Sequence, residues 1–90
     1  MEKAIITTVG KDSIGIIARE CTYLASQNIN ILDISQSIIG GYFHMMMITD
    51  VSNASASFQT IQDELIELGK SMNVDIKMQH SAIFESMHRI

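Results

Sequence analysis

Apolar residues follow strand-like and helix-like spacings in alternate segments of this chain. Residues 3–9 are rich in isoleucine and threonine, which predicts a first strand ending at Gly10. From residue 14 to residue 25 apolar side chains recur at steps of three, four and seven, which predicts a first helix. We expect Ser13 to cap that helix, because its hydroxyl can accept from a backbone N–H one turn in. Asn28, which tolerates left-handed backbone, is expected to end it.

The second half of the chain repeats the strand and helix patterns. Residues 29–39 alternate in part and residues 42 to about 51 are strand-like, with two adjacent glycines at 40–41 between them. Such glycines favour a tight hairpin turn, so these two strands are expected to be antiparallel neighbours. Apolar positions in residues 58–72 predict a second helix, and strict alternation over residues 74–79 predicts a fourth strand.

The resulting order is strand, helix, strand, strand, helix, strand. It predicts an α+β, ferredoxin-like βαββαβ fold, with a four-stranded antiparallel sheet and both helices on one face. The opposite face is then uncovered and too apolar to face water, so something is expected to cover it. The residues expected there, or their strand alternates, are Ile5, Thr7, Val9, His44, Met46 and Ile48.

The domain is expected to span residues 1–82, followed by a tail of residues 83–90. Four apolar residues mark the tail, and three of them lie at helical steps: Ile83, Phe84, Met87 and Ile90. We expect this tail to fold back on the sheet or to dock, as a short helix, on a partner subunit.

Composition narrows the class of protein. The net charge of −4 argues against a nucleic-acid partner. The single cysteine, Cys21, allows no disulfide within the chain and indicates a reducing compartment. No apolar run is long enough to span a membrane, and the first residues do not resemble a secretory signal. These features predict a soluble cytoplasmic domain.

The sequence does not support three other functions that proteins of this fold can have. An acylphosphatase-type site needs an arginine in the loop after the first strand, but Arg19 lies in the helix and Asp12 would repel the substrate. A metal carrier would need a Cys-x-x-Cys pair in that loop. An RNA-recognition domain would need aromatic residues on its central strands, and aromatics are only 6% of the chain.

Two segments carry a resemblance to a known family. They are Gly10-Lys11-Asp12-Ser13-Ile14-Gly15-Ile16-Ile17-Ala18 and, about a dozen residues later, Asn28-Ile29-Asn30-Ile31. Both resemble the ACT domain, a ferredoxin-like regulatory module that commonly binds amino acids or other small molecules between subunits. The resemblance covers roughly residues 4–79 and is strongest to small stand-alone bacterial ACT proteins, related to the ACT segments of glycine-cleavage regulators and formyltetrahydrofolate deformylases. Many ACT domains have proline where Ile14 stands, which leaves this loop less rigid.

The loop residues themselves favour an amino-acid ligand. Gly15 is expected in the first helical turn, where unpaired backbone N–H groups and the helix dipole suit a carboxylate. Asp12 can pair with an ammonium group, and Asn30 offers a donor and an acceptor. The resemblance implies that Asp12 and Asn30 are ligand contacts. The full predicted site is Gly10, Asp12, Ser13, Ile14, Gly15, Ile16, Asn28, Asn30 and Ile31.

Simpler interpretations of these residues stay open. Asp12 and Ser13 can be turn and cap residues, and Asn30 can be a polar edge-strand residue without a ligand. Gly15 can reflect close packing of the helix on the sheet. We expect Cys21 to lie in the core.

Three functions are compatible with these observations. The first is a non-enzymatic, homodimeric regulatory module that binds a small amino acid or related metabolite at a subunit interface. The alternative is a protein-interaction subunit without a ligand, which uses the open sheet face and the tail to regulate a partner enzyme or repressor. A metal site formed by His44, His80 or His88 across subunits is a third and weaker hypothesis. No nucleophile lies beside a recognisable base, and the sequence indicates no cofactor.

Overall fold

The computed structural model describes residues 1–82, so the predicted tail of residues 83–90 lies outside the described residues. The secondary-structure elements follow the predicted order. They are β1 (Lys3–Lys11), α1 (Ile16–Ser26), β2 (Asn30–Ile39), β3 (Tyr42–Asp50), α2 (Phe58–Met72) and β4 (Val74–His80).

The four strands form one antiparallel sheet in the order β2-β3-β1-β4. A two-residue turn at 40–41 joins β2 to β3, as the glycine pair predicts. The ferredoxin-like fold is therefore confirmed. Within residues 1–82, neither helix is long and apolar enough to cross a lipid bilayer.

The helices pack on one face of the sheet, and the main core lies between them. Ile6, Met47 and Ile76 from the three adjacent strands β1, β3 and β4 meet Leu24 of α1 and Leu65 of α2 there, all fully or almost fully buried. The other face has the predicted composition, and its cross-strand pairs are Ile5 with Ile48, Thr7 with Met46, and Val9 with His44.

The first helix begins later than predicted. Its N-cap is Gly15, in left-handed backbone with φ 89°, and no side chain caps it. Ser13 is exposed in the preceding loop, so the prediction that it caps the helix is wrong. Ile14 precedes the helix and is 104% exposed, so it does not belong to an apolar stripe.

The buried face of α1 also differs from the prediction. Because the helix starts at Ile16, its sheet-facing residues are Ile16, Glu20 and Leu24, at steps of four. Cys21 is only partly buried, so its expected place in the core is wrong. A carboxyl group lies on the sheet-facing side instead.

The alternation of β2 is interrupted near its start. The pairing with β3 shifts between Ile31 and Asp33, which marks a β-bulge around Leu32. The bulge places Ile31 and Ile34 on the same side of the sheet, whereas simple alternation places them on opposite sides. This explains why the strand pattern is only partial in the sequence.

Candidate functional site

The loop between β1 and α1 is held against the β2–β3 hairpin. The backbone N–H of Asp12 donates to the carbonyl of Gly41 at 2.9 Å. The first hydrogen bond of α1 runs from the N–H of Arg19 to the carbonyl of Gly15, also at 2.9 Å. The N–H groups of residues 16–18 therefore have no acceptor within the helix, and the positive end of the helix dipole lies beside this loop.

Gly10, near the end of β1, and Gly15, in the loop, are needed for different structural reasons. Gly15 has φ 89°, which disfavours any residue with a Cβ, and an added Cβ would meet nothing within 4 Å. Close packing therefore does not explain Gly15. A Cβ on Gly10 would lie 2.7 Å from Cγ1 of Val74, so contact with the start of β4 accounts for Gly10 without a ligand.

A cavity of about 520 Å³ opens between the loop, the first turn of α1 and the hairpin end of the sheet. It contains four residues of the predicted site, together with six others. Its lining comprises Asp12, Ser13, Gly15, Ile16, Ile17, Ala18, Gln36, Ser37, Ile38 and Phe43. Predicted Ile14 does not line it; its side chain points into solvent.

The wall of the cavity that β2 and β3 contribute was not predicted from the sequence. Ile38 pairs with Phe43, and Phe43 pairs on its other side with Gly10 at the end of β1. The signal for this wall was available, because the two-residue hairpin turn fixes the register of its strands and so brings residues 36–38 to the β1–α1 loop.

The second predicted segment lies at the opposite end of the sheet. Asn30 pairs with Asp50, whereas Lys11 pairs with Tyr42 at the other end of β3. At about 3.3 Å per residue these positions are roughly 26 Å apart. The expected meeting of Asp12, Gly15 and Asn30 is therefore wrong within a single chain, because an entire strand separates them.

The three predicted site residues of that segment have distinct local roles. The Asn28 backbone is left-handed with φ 59°, as predicted for the helix exit, and its side-chain N–H donates to the carbonyl of Asn53 at 3.0 Å. Ile31 packs against the core. Asn30 is exposed beside Asp50, whose carboxylate accepts from the backbone N–H and hydroxyl of Ser52. These hydrogen bonds lower the pKa of Asp50.

Within residues 1–82, Asp12 is the one charged residue that lines the cavity. An anionic group and unpaired backbone donors thus border the same space, while Ile16, Ile17 and Phe43 supply apolar surface. Across residues 1–82, no three His, Cys, Asp or Glu side chains gather into a group that could hold a metal ion.

Two ionisable groups of α1 lie one helical turn after Ile16 and Ile17, which line the cavity. Glu20 is fully buried, and the Thr8 hydroxyl lies 2.8 and 3.0 Å from its two carboxyl oxygens. Burial raises the pKa of Glu20 from 4.5 to about 7, against the opposing effect of Thr8. Burial, with a smaller contribution from Glu20, also raises the pKa of the Cys21 thiol, the reverse of what a nucleophilic cysteine needs.

Comparisons with known proteins agree on the family to which this chain belongs. A model of the ACT domain matches residues 2–79. A UPF0237 protein of Bifidobacterium longum is 56% identical over 90 residues, which cover 100% of both chains. An ACT domain protein structure from Streptococcus pneumoniae matches with a TM-score of 0.81 at 42% identity, over 93% of this chain and 94% of that chain. A formyltetrahydrofolate deformylase from Pseudomonas syringae shares the fold, with a TM-score of 0.83 at 20% identity over 91% of this chain and 28% of that chain. The chain therefore belongs to the ACT domain family.

Proposed function

We propose that this protein is a non-catalytic regulatory module that binds a small amino acid or a related metabolite between the two subunits of a homodimer. The observation that carries the proposal is the cavity at the N-terminus of α1. Its unpaired backbone donors and the Asp12 carboxylate border one space, and a zwitterion presents a carboxylate and an ammonium group to match them.

The apolar part of the cavity suits the side chain of such a ligand. Ile17, Ile38 and Phe43 contribute apolar side chains to the lining. Ligand pockets commonly combine a mostly apolar lining with a few polar groups that fix orientation. A cavity of about 520 Å³ is also within the size range of small-molecule sites.

The edge strand β2 supports a dimer. It is ten residues long, lies at the edge of the sheet that residues 1–82 form, and exposes Leu32, Ile34, Ile38 and Ile39. A long apolar edge strand in water invites pairing with another chain. The opposite edge, β4, has seven residues and exposes Asp75 and Lys77, charges of the kind that discourage such pairing.

Two-fold pairing through β2 would also complete the predicted site. When two copies of an edge strand pair antiparallel about a central two-fold axis, the start of each lies beside the end of the other. Asn30 of one subunit would then lie near Ile38 of its partner, and thus near the partner's cavity. Within one chain Asp12 and Asn30 are roughly 26 Å apart, but in this arrangement the Asn30 of one subunit would approach the Asp12 of the other.

Isothermal titration calorimetry of the purified protein against a panel of the amino acids tests the proposal. We expect at least one to bind, and Asp12→Ala to weaken that binding by about 10- to 100-fold through loss of the ion pair with the ammonium group. Asp63→Ala is the matched control, since Asp63 is an exposed carboxylate on α2 and its removal changes the net charge equally.

Two results contradict the proposal. Failure of a homogeneous dimer to bind any amino acid rejects the amino-acid ligand. Equal loss of affinity in Asp12→Ala and Asp63→Ala would show that overall charge, and not the cavity, determines binding.

A further inference from the structure

Glu20 is a buried carboxyl group close to the candidate site, and the proposed binding scheme does not use it. It shares the sheet-facing side of α1 with Ile16, four residues earlier, and Ile16 lines the cavity. Four helical residues rise about 6 Å. Because the Cα–Cβ bonds of a helix tilt toward its N-terminus, the Glu20 side chain starts out toward the first turn. Glu20 is therefore about one turn from the unpaired backbone donors of residues 16–18.

The partner of Glu20 on the sheet lies equally near the cavity. The Thr8 hydroxyl is 2.8 and 3.0 Å from the two carboxyl oxygens, and both side chains are fully buried. Thr8 precedes Gly10 by two residues, and Gly10 pairs with Phe43 of the cavity lining. Two strand residues span about 7 Å. The contact between Glu20 and Thr8 thus lies a short step from the lining on both elements that hold it.

Among residues 1–82, no cation on the helices forms an ion pair with Glu20. Arg19, its neighbour in α1, is exposed and donates instead to the Ser71 hydroxyl of α2 at 3.1 Å. The other titratable side chains of the two helices bond to one another or reach solvent. They are Cys21, Tyr23, Asp63, Glu64, Glu67 and Lys70.

The sheet around Thr8 is apolar. Thr8 is flanked by Met45 on β3 and by Ile76 on β4, and both are buried. The titratable residues next to these two along their strands point to the opposite face, because strand side chains alternate. Those residues are His44, Asp75 and Lys77. The other titratable residues of β1, β3 and β4 lie at strand ends, namely Lys3, Lys11, Tyr42, Asp50 and His80.

Within residues 1–82, an ionised Glu20 thus has no positive charge paired with it. Burial raises its pKa from 4.5 to about 7, against the opposing effect of Thr8. A ligand carboxylate held by the donors of residues 16–18 would lie roughly 8 Å from the carboxyl group of Glu20. At an effective dielectric constant of about 30, the repulsion between two like charges at that distance weakens binding by roughly tenfold.

We propose that ligand binding at this cavity is linked to a proton on Glu20. The amino acid binds more tightly when Glu20 is protonated, and the bound carboxylate in turn promotes protonation of Glu20. The two effects are equal in size, because coupling between two binding equilibria is reciprocal. This inference rests on the ligand site proposed above and adds a response to pH to it.

Isothermal titration calorimetry with a panel of the amino acids at pH 5.5 and pH 8.0 tests the linkage. The tenfold repulsion predicts about a fivefold loss of affinity between these pH values, because Glu20 in the complex is still half protonated at pH 8.0. At pH 7.5, binding should take up about half a proton, which is measured by repeating the titration in buffers of different ionisation enthalpy.

Glu20→Gln should lose both effects, since glutamine has a similar shape and does not ionise. Titration of Asp12 and of the amino acid itself cancels in this comparison, because both are common to the two proteins. Glu67→Gln, at an exposed carboxylate of α2, is the matched control and should behave as the original protein does.

A second variant keeps the test valid if Glu20→Gln folds poorly. Thr8→Val removes the hydroxyl that lowers the pKa of Glu20 and retains nearly the same shape. The midpoint of the pH dependence of affinity should therefore move to higher pH. A substitution that only disturbed packing would weaken binding without moving the midpoint.

The possible failures are distinguishable. If an amino acid binds but its affinity and proton uptake depend on pH in the same way in the original protein and in Glu20→Gln, the linkage is wrong and the ligand site stands. An unmoved midpoint in Thr8→Val likewise overturns the role of Glu20. If the original protein binds no amino acid at either pH, the proposed ligand site is rejected, and the linkage with it.

Discussion

Glu20→Gln should remove most of the decrease in the free energy of unfolding that we expect as the pH rises above neutrality. Glu20 lies on the sheet-facing side of α1 with its side chain fully buried and the Thr8 hydroxyl within 3.0 Å of both carboxyl oxygens. Glutamine has nearly the same shape and keeps an oxygen that can accept from Thr8, but it does not ionise. The substitution therefore isolates the contribution of the charge.

The magnitude follows from the raised pKa. Folding moves the pKa of Glu20 from 4.5 to about 7, so the folded state holds the proton more tightly than the unfolded chain. The stabilisation is complete below pH 4.5 and is lost as the pH rises through 7. Its full size is about 3 kcal/mol, of which about 2.5 kcal/mol is lost between pH 5 and pH 9.

Urea denaturation of both proteins at pH 5 and pH 9 measures this contribution. The free energy of unfolding of the original protein should fall by about 2.5 kcal/mol more than that of Glu20→Gln. A constant offset at both pH values reflects only how well the amide fits, so the difference between the two pH values is the relevant quantity. Glu67→Gln, at a carboxylate 72% exposed on α2, is the control and should track the original protein within about 0.5 kcal/mol. Parallel pH profiles for the original protein and Glu20→Gln would refute the raised pKa.

Three further substitutions test the packing and the proposed dimer. Gly10→Ala should destabilise the fold by about 2 kcal/mol in urea denaturation, because the new Cβ would lie 2.7 Å from Val74; an unchanged midpoint contradicts that close approach. Leu65→Ala should lower the free energy of unfolding by about 3 kcal/mol, since this fully buried side chain leaves a cavity in the core, and a loss below about 1 kcal/mol would show that the core collapses around it. Ile34→Asp lies near the middle of β2 and should weaken the dimer at least ~100-fold by bringing two carboxylates together at the two-fold axis; sedimentation velocity measures this against Ile66→Asp, an exposed control on α2, and an intact Ile34→Asp dimer excludes the β2 interface.

The fold could be predicted because its local signals agree with one another. The glycine pair at 40–41 fixed the hairpin, and the helical spacing of residues 58–72 fixed α2. The start of α1 could not be located as well. Its N-terminus depends on the left-handed backbone of Gly15, and no capping side chain marks it. An error of a few residues there turned the expected helix face and hid the burial of Glu20.

The loop residues of the candidate site could be predicted from the sequence, but its other residues could not, and the difference has a physical reason. Asp12, Ser13, Gly15 and Ile16 are close in sequence, so the loop that carries them also brings them together in space. Asn30 belongs to a different end of the sheet, and sequence proximity to α1 says nothing about which end that is. Strand register decides it, and the contribution that we propose for a second subunit is not encoded in any local pattern.

Mixed dimers of two variants that each bind the amino acid poorly test most directly whether the site is shared between subunits. Asp12→Ala and Asn30→Ala are each expected to weaken strongly the binding of the amino acid identified by calorimetry. In a dimer with one chain of each kind, one site would carry both substitutions and the other neither. Purified mixed dimers are therefore expected to bind with the original affinity and half the original stoichiometry. If each site is built from one chain, every site in the mixed dimer carries one substitution, and the absence of any high-affinity binding would contradict a site shared between subunits.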